Sequence, residues 1–258
     1  MLQAIPVLLY HSVPRDPRHG RDRFAVPYDR FLTHLQTILA SGRTPLGIGE
    51  LAAGLRGESL MPDRPVAITF DDGYDDTMRA IDALCERRLR ATVYVTTGQI
   101  GDRSMIGHNE LKLLAERPEA IELGAHSISH PRLDELSPAG IEREVLGSKG
   151  QLEQLTGLPV STFAYPHGAY DWRVRQAVIA AGFRSAAAVK NALSHSEDDS
   201  WAIARWTVRG STTAPQIVRV LEGAGVPRAW RRERVRTRGY RAARKLRRRL
   251  PHALGRSC

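Results

Sequence analysis

Pro65-Val-Ala-Ile-Thr-Phe-Asp-Asp-Gly73 is an apolar, β-branched run that stops on two carboxylates and a glycine. A run of this kind closed by a turn residue reads as a strand, and Gly73 allows the sharp exit that its end needs. Working outward, comparable runs occur at 4–10, 91–96, 120–125, 160–165, 185–189 and 202–208. Helical periodicity lies between them. At 28–40, Phe31, Leu32, Leu35, Ile38 and Leu39 share one face, and at 76–89 so do Met78, Ile81, Leu84, Cys85 and Leu89. Further helices are expected at 108–116, 138–155, 171–181 and 214–223, with Asp76 and Asn109 near helix starts and Gly42, Gly157 and Gly182 at helix ends. Strand and helix alternate, which argues for a parallel sheet with helices outside. Seven strands within roughly 210 residues favour closure, so the expected fold class is α/β, a distorted (β/α)7-8 barrel.

The 258 residues, 42% hydrophobic and 26% charged, are ordinary for a globular enzyme. No apolar run reaches the roughly 18 residues that span a bilayer. Residues 1–11 have no basic leader region and no small-residue cleavage site, so the first apolar stretch reads as a strand and the expected location is cytoplasmic. Cys85 and Cys258 make no disulfide framework. The net charge of +10 is uneven: residues 228–258 hold thirteen Lys/Arg against Glu233 alone, a sum of +12, which leaves −2 for all the rest. The expected division is therefore a catalytic domain over 1–225 and a basic tail over 226–258.

The chemistry concentrates at two strand ends. Asp71 and Asp72 are successive residues at the end of a strand, where side chains diverge, so one can bind a cation while the other stays free as a base. Sites in barrels form at these C-terminal strand ends. His126-Ser-Ile-Ser-His-Pro131 follows the strand Ile121–Ala125; its Ser-Ile-Ser interior and Pro131 favour a structured loop with both imidazoles facing one point. Two histidines and a carboxylate suit zinc, cobalt or nickel and leave coordination positions open. The plainer readings are an acidic turn capping the next helix and a surface histidine pair.

Together these strings resemble the polysaccharide deacetylases, the NodB-homology group of carbohydrate esterase family four. Leu8-Leu-Tyr-His-Ser-Val-Pro14 looks like the N-terminal motif of the branch that includes biofilm poly-N-acetylglucosamine deacetylases. Phe163-Ala-Tyr-Pro-His-Gly168 resembles the third family motif, Ala180-Ala-Gly-Phe183 the segment after it, and Ala204-Arg-Trp206 a late arginine strand. The resemblance covers about residues 5–210. It implies that Asp72, His126 and His130 hold a divalent metal, most simply zinc, and that Asp71 is the general base. It also implies that the His167 backbone N–H faces the oxyanion and that His11 delivers the proton to the leaving amine. The Leu250-Pro-His252 string matches another family motif but sits in the basic tail and is set aside. Ala164 stands where the third motif commonly carries an arginine, which makes Arg205 the candidate partner for Asp71. Tyr165, with Trp206, is a candidate sugar platform.

The expected function is metal-dependent removal of an N-acetyl group from an N-acetylated sugar in a polysaccharide or glycan intermediate. A deformylase or deacylase of a lipid-linked amino sugar would use the same chemistry, and a non-catalytic carbohydrate- or nucleic-acid-binding relative is the alternative from another class. A binding module has no need of a spare base, which counts against the last. The expected partner is an N-acylated glycan or lipid-linked sugar. Residues 228–258 suit peripheral contact with the inner membrane surface, with a merely solvated tail as the next reading and nucleic acid or a protein partner as the least.

Overall fold

Pro6 has no N–H to give to a ladder, and it splits the first apolar run into β1 (Ala4–Ile5) and β2 (Val7–Tyr10) in a computed structural model of the chain, which describes residues 3–16 and 23–229. The chain continues through α1 (Tyr28–Ala40), β3 (Thr44–Leu46), α2 (Ile48–Leu55), β4 (Pro65–Phe70), α3 (Thr77–Glu86), β5 (Ala91–Val95) and α4 (His108–Ala115). It then forms β6 (Ile121–Ala125), α5 (Pro138–Thr156), β7 (Thr162–Ala164), α6 (Trp172–Ala180), β8 (Ser185–Val189), β9 (Ser194–His195), β10 (Ile203–Thr207) and α7 (Ala214–Leu221). β2, β4, β5, β6, β7, β8 and β10 pair in parallel in that order, and β10 returns to β2, so seven strands close a barrel. β3 lies outside the ring. It takes the Pro65–Ala67 part of the β4 edge, and β5 takes Thr69–Phe70 of the same edge.

Alternation along the strands sorts the core into two shells. Leu8, Tyr10, Val66, Ile68, Phe70, Val93, Leu123 and Phe163 pack outward against the helices. Val7, Ala67, Tyr94, Ala164, Ala187 and Ile203 pack inward with Ile48, Leu51 and Ala52 of α2. The small alanines let a seven-stranded ring close tightly. α2 stops the barrel at the end where the strands begin: the Ile48 N–H donates to Thr69's neighbour strand at Thr92 Oγ1 (3.0 Å), and the Gly49 N–H donates to Glu122 Oε1 (3.0 Å). Burial raises the Glu122 carboxyl pKa, and the Thr92 and Gly49 donors partly offset it.

The same alternation carries function. Asp71, His126 and Arg205 stand on the inward lines of β4, β6 and β10, two residues beyond Thr69, Gly124 and Ile203 respectively. They therefore converge at the opposite end from α2. Past α7 the chain stays on the barrel: the Leu193 N–H donates to Pro227 O (2.9 Å) and the Ala229 N–H to Leu193 O (2.7 Å). The rest of the basic segment, and with it Leu250-Pro-His252, lies outside the described residues. Among the described residues no helix is long and apolar enough to cross a membrane.

Candidate active site

β4 ends at Phe70, and the Asp71 N–H still pairs with β2 through Tyr10 O (3.0 Å). The next two residues are left-handed, Asp72 at φ 74° and Gly73 at φ 87°. That reversal parts the two carboxylates. Asp71 stays inside the barrel, only 2% exposed. There Arg205, itself fully buried, grips it with two parallel bonds, Nη1 to Oδ1 at 2.6 Å and Nη2 to Oδ2 at 2.8 Å. Arg205 Nη1 also donates to Thr69 Oγ1 (3.2 Å), whose own proton goes to Leu8 O (3.1 Å). Burial pushes the Asp71 pKa up. The Arg205 charge, then His126, the arginine hydrogen bonds and His11 outweigh it and hold the carboxyl down at about 2.

Asp72 turns to the histidines. Its Oδ1 lies 3.5 Å from His126 Nε2 and 3.2 Å from His130 Nε2, and the three potential ligand atoms all lie within 4.8 Å of one another. His126 Nδ1 is 2.8 Å from Ala164 O. A carbonyl only accepts, so Nδ1 carries the proton and Nε2 presents its lone pair to Asp72. Burial lowers the pKa of His126 to about 3 and lowers that of His130, with the Asp71 charge opposing in both cases. Neutral imidazoles beside an ionised carboxylate are the protonation states a metal requires. The donor set thus fits a divalent metal of the zinc, cobalt or nickel kind held by Asp72, His126 and His130.

The loop that carries the histidines is built, not slack. Ser127 (φ 66°) and His130 (φ 57°) are left-handed, a costly state that persists only when surroundings enforce it. Glu144 of α5 enforces it by accepting from the Ile128 N–H (2.9 Å), the Ser129 N–H (2.9 Å) and Ser129 Oγ (2.7 Å). Ser127 Oγ accepts from the His130 N–H (3.0 Å). On the other side, Thr97 and Gly98 donate to Ser127 O and Ile128 O.

Of the remaining candidates, His11 leaves the end of β2 close enough to Asp71 for its charge to act there. Its ring stacks on Phe24 (4.9 Å between centroids, 22°), and its buried Nδ1 has no hydrogen-bond partner. Asp76 stands at the N-cap position of α3, as expected, and its carboxylate accepts from Ser12 Oγ and the Val13 N–H, which fixes the segment that carries His11. His167 is left-handed (φ 57°), and its ring packs edge-on against His130 at 4.4 Å. Tyr165 requires a correction. Its ring is fully buried, stacked on Tyr170 at 4.4 Å with its hydroxyl on Trp201 O (3.0 Å), so it faces the core and offers no surface to a sugar. Trp206 is partly buried against the outer core. Glu144 and Tyr94, which lies under Arg205, escaped the sequence reading. Glu144 does carry a signal, because it falls on the same helical face as Ile141, Val145 and Ser148, where an unpartnered carboxylate is costly.

The polysaccharide deacetylase family model matches residues 59–186. YxkH of Bacillus subtilis (strain 168), named for polysaccharide deacetylation, is 26% identical over 181 residues, covering 70% of this chain and 62% of YxkH. The chain thus spans about three-fifths of the length of that relative. In fold it is similar to the Streptococcus pyogenes deacetylase PplD, solved with acetate (TM-score 0.77, 21% identity, 86% of this chain and 99% of that one). It is similar also to IcaB from Ammonifex degensii (TM-score 0.73, 20% identity, 85% and 97%). The matched segment holds Asp71, Asp72, His126, His130 and Glu144 but ends before Arg205, and with the barrel around it the chain belongs to the polysaccharide deacetylase family.

Proposed function

We propose that the chain is a metal-dependent N-deacetylase that hydrolyses the acetamide of an N-acetylated amino sugar in a glycan. The observation that carries this reading is the division of labour between neighbours: three ligand groups on one side, and on the other a buried carboxylate that the ligand set does not use. Asp72, His126 and His130 would hold the metal, zinc on the strength of its donor set. Bound there, a divalent ion would supply Lewis acidity to the acetyl carbonyl and to the attacking water near neutral pH.

Asp71 remains ionised throughout the neutral range and takes the proton from the attacking water. Arg205 keeps that carboxylate charged and aimed. The left-handed turn at His167 presents a backbone N–H to the developing oxyanion, where fixed donors stabilise charge most effectively. His11 passes a proton to the departing amine; its orientation is held by the Phe24 ring and the Asp76 clamp. The bond broken is the amide C–N, and the products are acetate and a free amino sugar. PplD, of the same fold, was solved with acetate.

The test is acetate release from N-acetylglucosamine oligomers with zinc analysis of the same samples. Asp71→Asn should lose about 10²–10⁴-fold in kcat and keep its metal, whereas Asp72→Asn should lose the metal. Wild-type turnover by Asp71→Asn would overturn the mechanism. We further propose that the +12 segment 228–258 holds the enzyme at an anionic membrane surface on the cytoplasmic side.

A further inference from the structure

Tyr94 is the large side chain that floors the site. It stands on the inward line of β5 and is fully buried. Its ring lies under the Arg205 guanidinium, whose Cζ is 5.3 Å from the ring centroid, and is tilted 45° to His126 at 6.4 Å. The hydroxyl crosses to β7 and is 2.9 Å from Thr162 Oγ1. The facing inward position on β6, between Glu122 and His126, is Gly124. A Cβ there would stand 2.5 Å from Tyr94 Cδ1 and Cε1 and 2.9 Å from Thr162 Cγ2. Absence of a side chain at 124 is what lets the Tyr94 ring lie across the lumen.

Arg205 needs such a floor. Its two terminal nitrogens are engaged by Asp71 and Thr69, but its Nε has no hydrogen-bond partner. The guanidinium is therefore fixed on its far edge and open to tilting about the Asp71 bonds. The electron-rich face of an aromatic ring attracts a guanidinium and blocks that tilt from below. The same ring limits movement of His126 toward the barrel interior.

We propose that Tyr94, admitted by Gly124, is a positioning residue for the reaction: its ring holds Arg205, and through it the Asp71 carboxylate, in the reactive orientation. This rests on the reading of Asp71 as the base. A shift of about 1 Å in a reacting group costs on the order of 10²-fold, so Tyr94→Leu should lower kcat by about 10- to 100-fold. KM should stay within about twofold, as expected when an interaction acts on the transition state alone, and bound zinc should remain at the wild-type ratio. Tyr94→Phe keeps the ring and loses only the Thr162 bond, so it should recover most of that loss. Gly124→Ala, which pushes the ring from the other side, should reproduce the Tyr94→Leu defect and decides the matter if Tyr94→Leu does not fold.

Wild-type kcat in folded Tyr94→Leu or Gly124→Ala would overturn the proposal. So would a Tyr94→Phe enzyme as slow as Tyr94→Leu, which would assign the effect to the hydroxyl. Asp71→Asn measured alongside separates the two levels. If it turns over normally, the base assignment fails; if it is inactive while Tyr94→Leu is unimpaired, only the role of Tyr94 fails.

Discussion

At the scale of single residues, Arg205 faces the harshest arithmetic. It is a fully buried cation whose charge is matched by one buried carboxylate. Removing one member of such a pair leaves the other stranded, at a cost of about 3–5 kcal/mol. Arg205→Met should therefore lower stability in urea by about 3 kcal/mol or more and abolish activity. Arg205→Lys keeps the charge but replaces a planar fork with a single point, which cannot meet both Asp71 oxygens. Its stability loss should be smaller, and its kcat should still drop by about 10- to 100-fold. An Arg205→Lys enzyme with wild-type kcat would show that charge alone suffices. The sequence pointed to Arg205 because Ala164 occupies the third-motif position where an arginine is common, so the positive partner had to come from another strand. It misplaced Tyr165, because an aromatic beside site residues does not announce which way a two-residue period has turned it.

At the scale of elements, the histidine loop depends on α5, the helix that follows it in the chain. Glu144 satisfies two backbone N–H groups and a hydroxyl in a loop with two left-handed residues. Glu144→Ala would orphan those donors. Partners of ligand loops typically affect metal affinity by about 10- to 100-fold, so zinc binding, measured by chelator competition, should weaken by that order before kcat of the fully loaded enzyme changes much. Unchanged affinity in a folded variant would free Glu144 of this role.

A second tie joins α1 to the barrel. The Tyr10 hydroxyl donates to His34 Nδ1 (3.2 Å), and His34 Nε2–H donates to Thr212 O (3.0 Å), an arrangement only the neutral ring can make. Burial lowers the His34 pKa from 6.5 to about 4, with the Thr212 bond opposing. The unfolded chain thus binds this proton below about pH 6.5 and the folded one does not until about pH 4. Stability is therefore full above the unfolded value and falls as pH drops across that window, by roughly 2–3 kcal/mol. His34→Gln should flatten this part of the acid limb in urea titrations from pH 7 to 4. An unaltered slope would place the acid sensitivity elsewhere.

At the scale of the whole molecule, the sequence read well where a local pattern repeats and poorly where closure decides. Alternating apolar runs and amphipathic helices disclosed the seven barrel strands and six of the outer helices, because each has enough period to be seen alone. α2 was invisible: eight residues interrupted by Gly49 and Gly54 signal little, and its purpose, stopping the barrel against Thr92 and Glu122, exists only once the ring is closed. Closure also fixes where the basic segment begins. Ala229 pairs beside β9, which in turn pairs with β1, so the chain leaves the described structure at the strand-start end, away from the Asp72 group. Twenty-nine further residues could extend about 100 Å, enough to reach either end of the barrel, so the charge must be tested and not the exit point. Truncation should begin at residue 230, because Pro227 and Ala229 carry barrel hydrogen bonds. Each Lys or Arg near an anionic surface contributes about 1 kcal/mol, screened by salt. The full chain should therefore sediment with phosphatidylserine vesicles at low ionic strength and release in high salt, and the 1–229 protein should stay in solution with unchanged kcat on soluble oligomers. Equal sedimentation of both would move the membrane contact from the basic segment to the barrel itself.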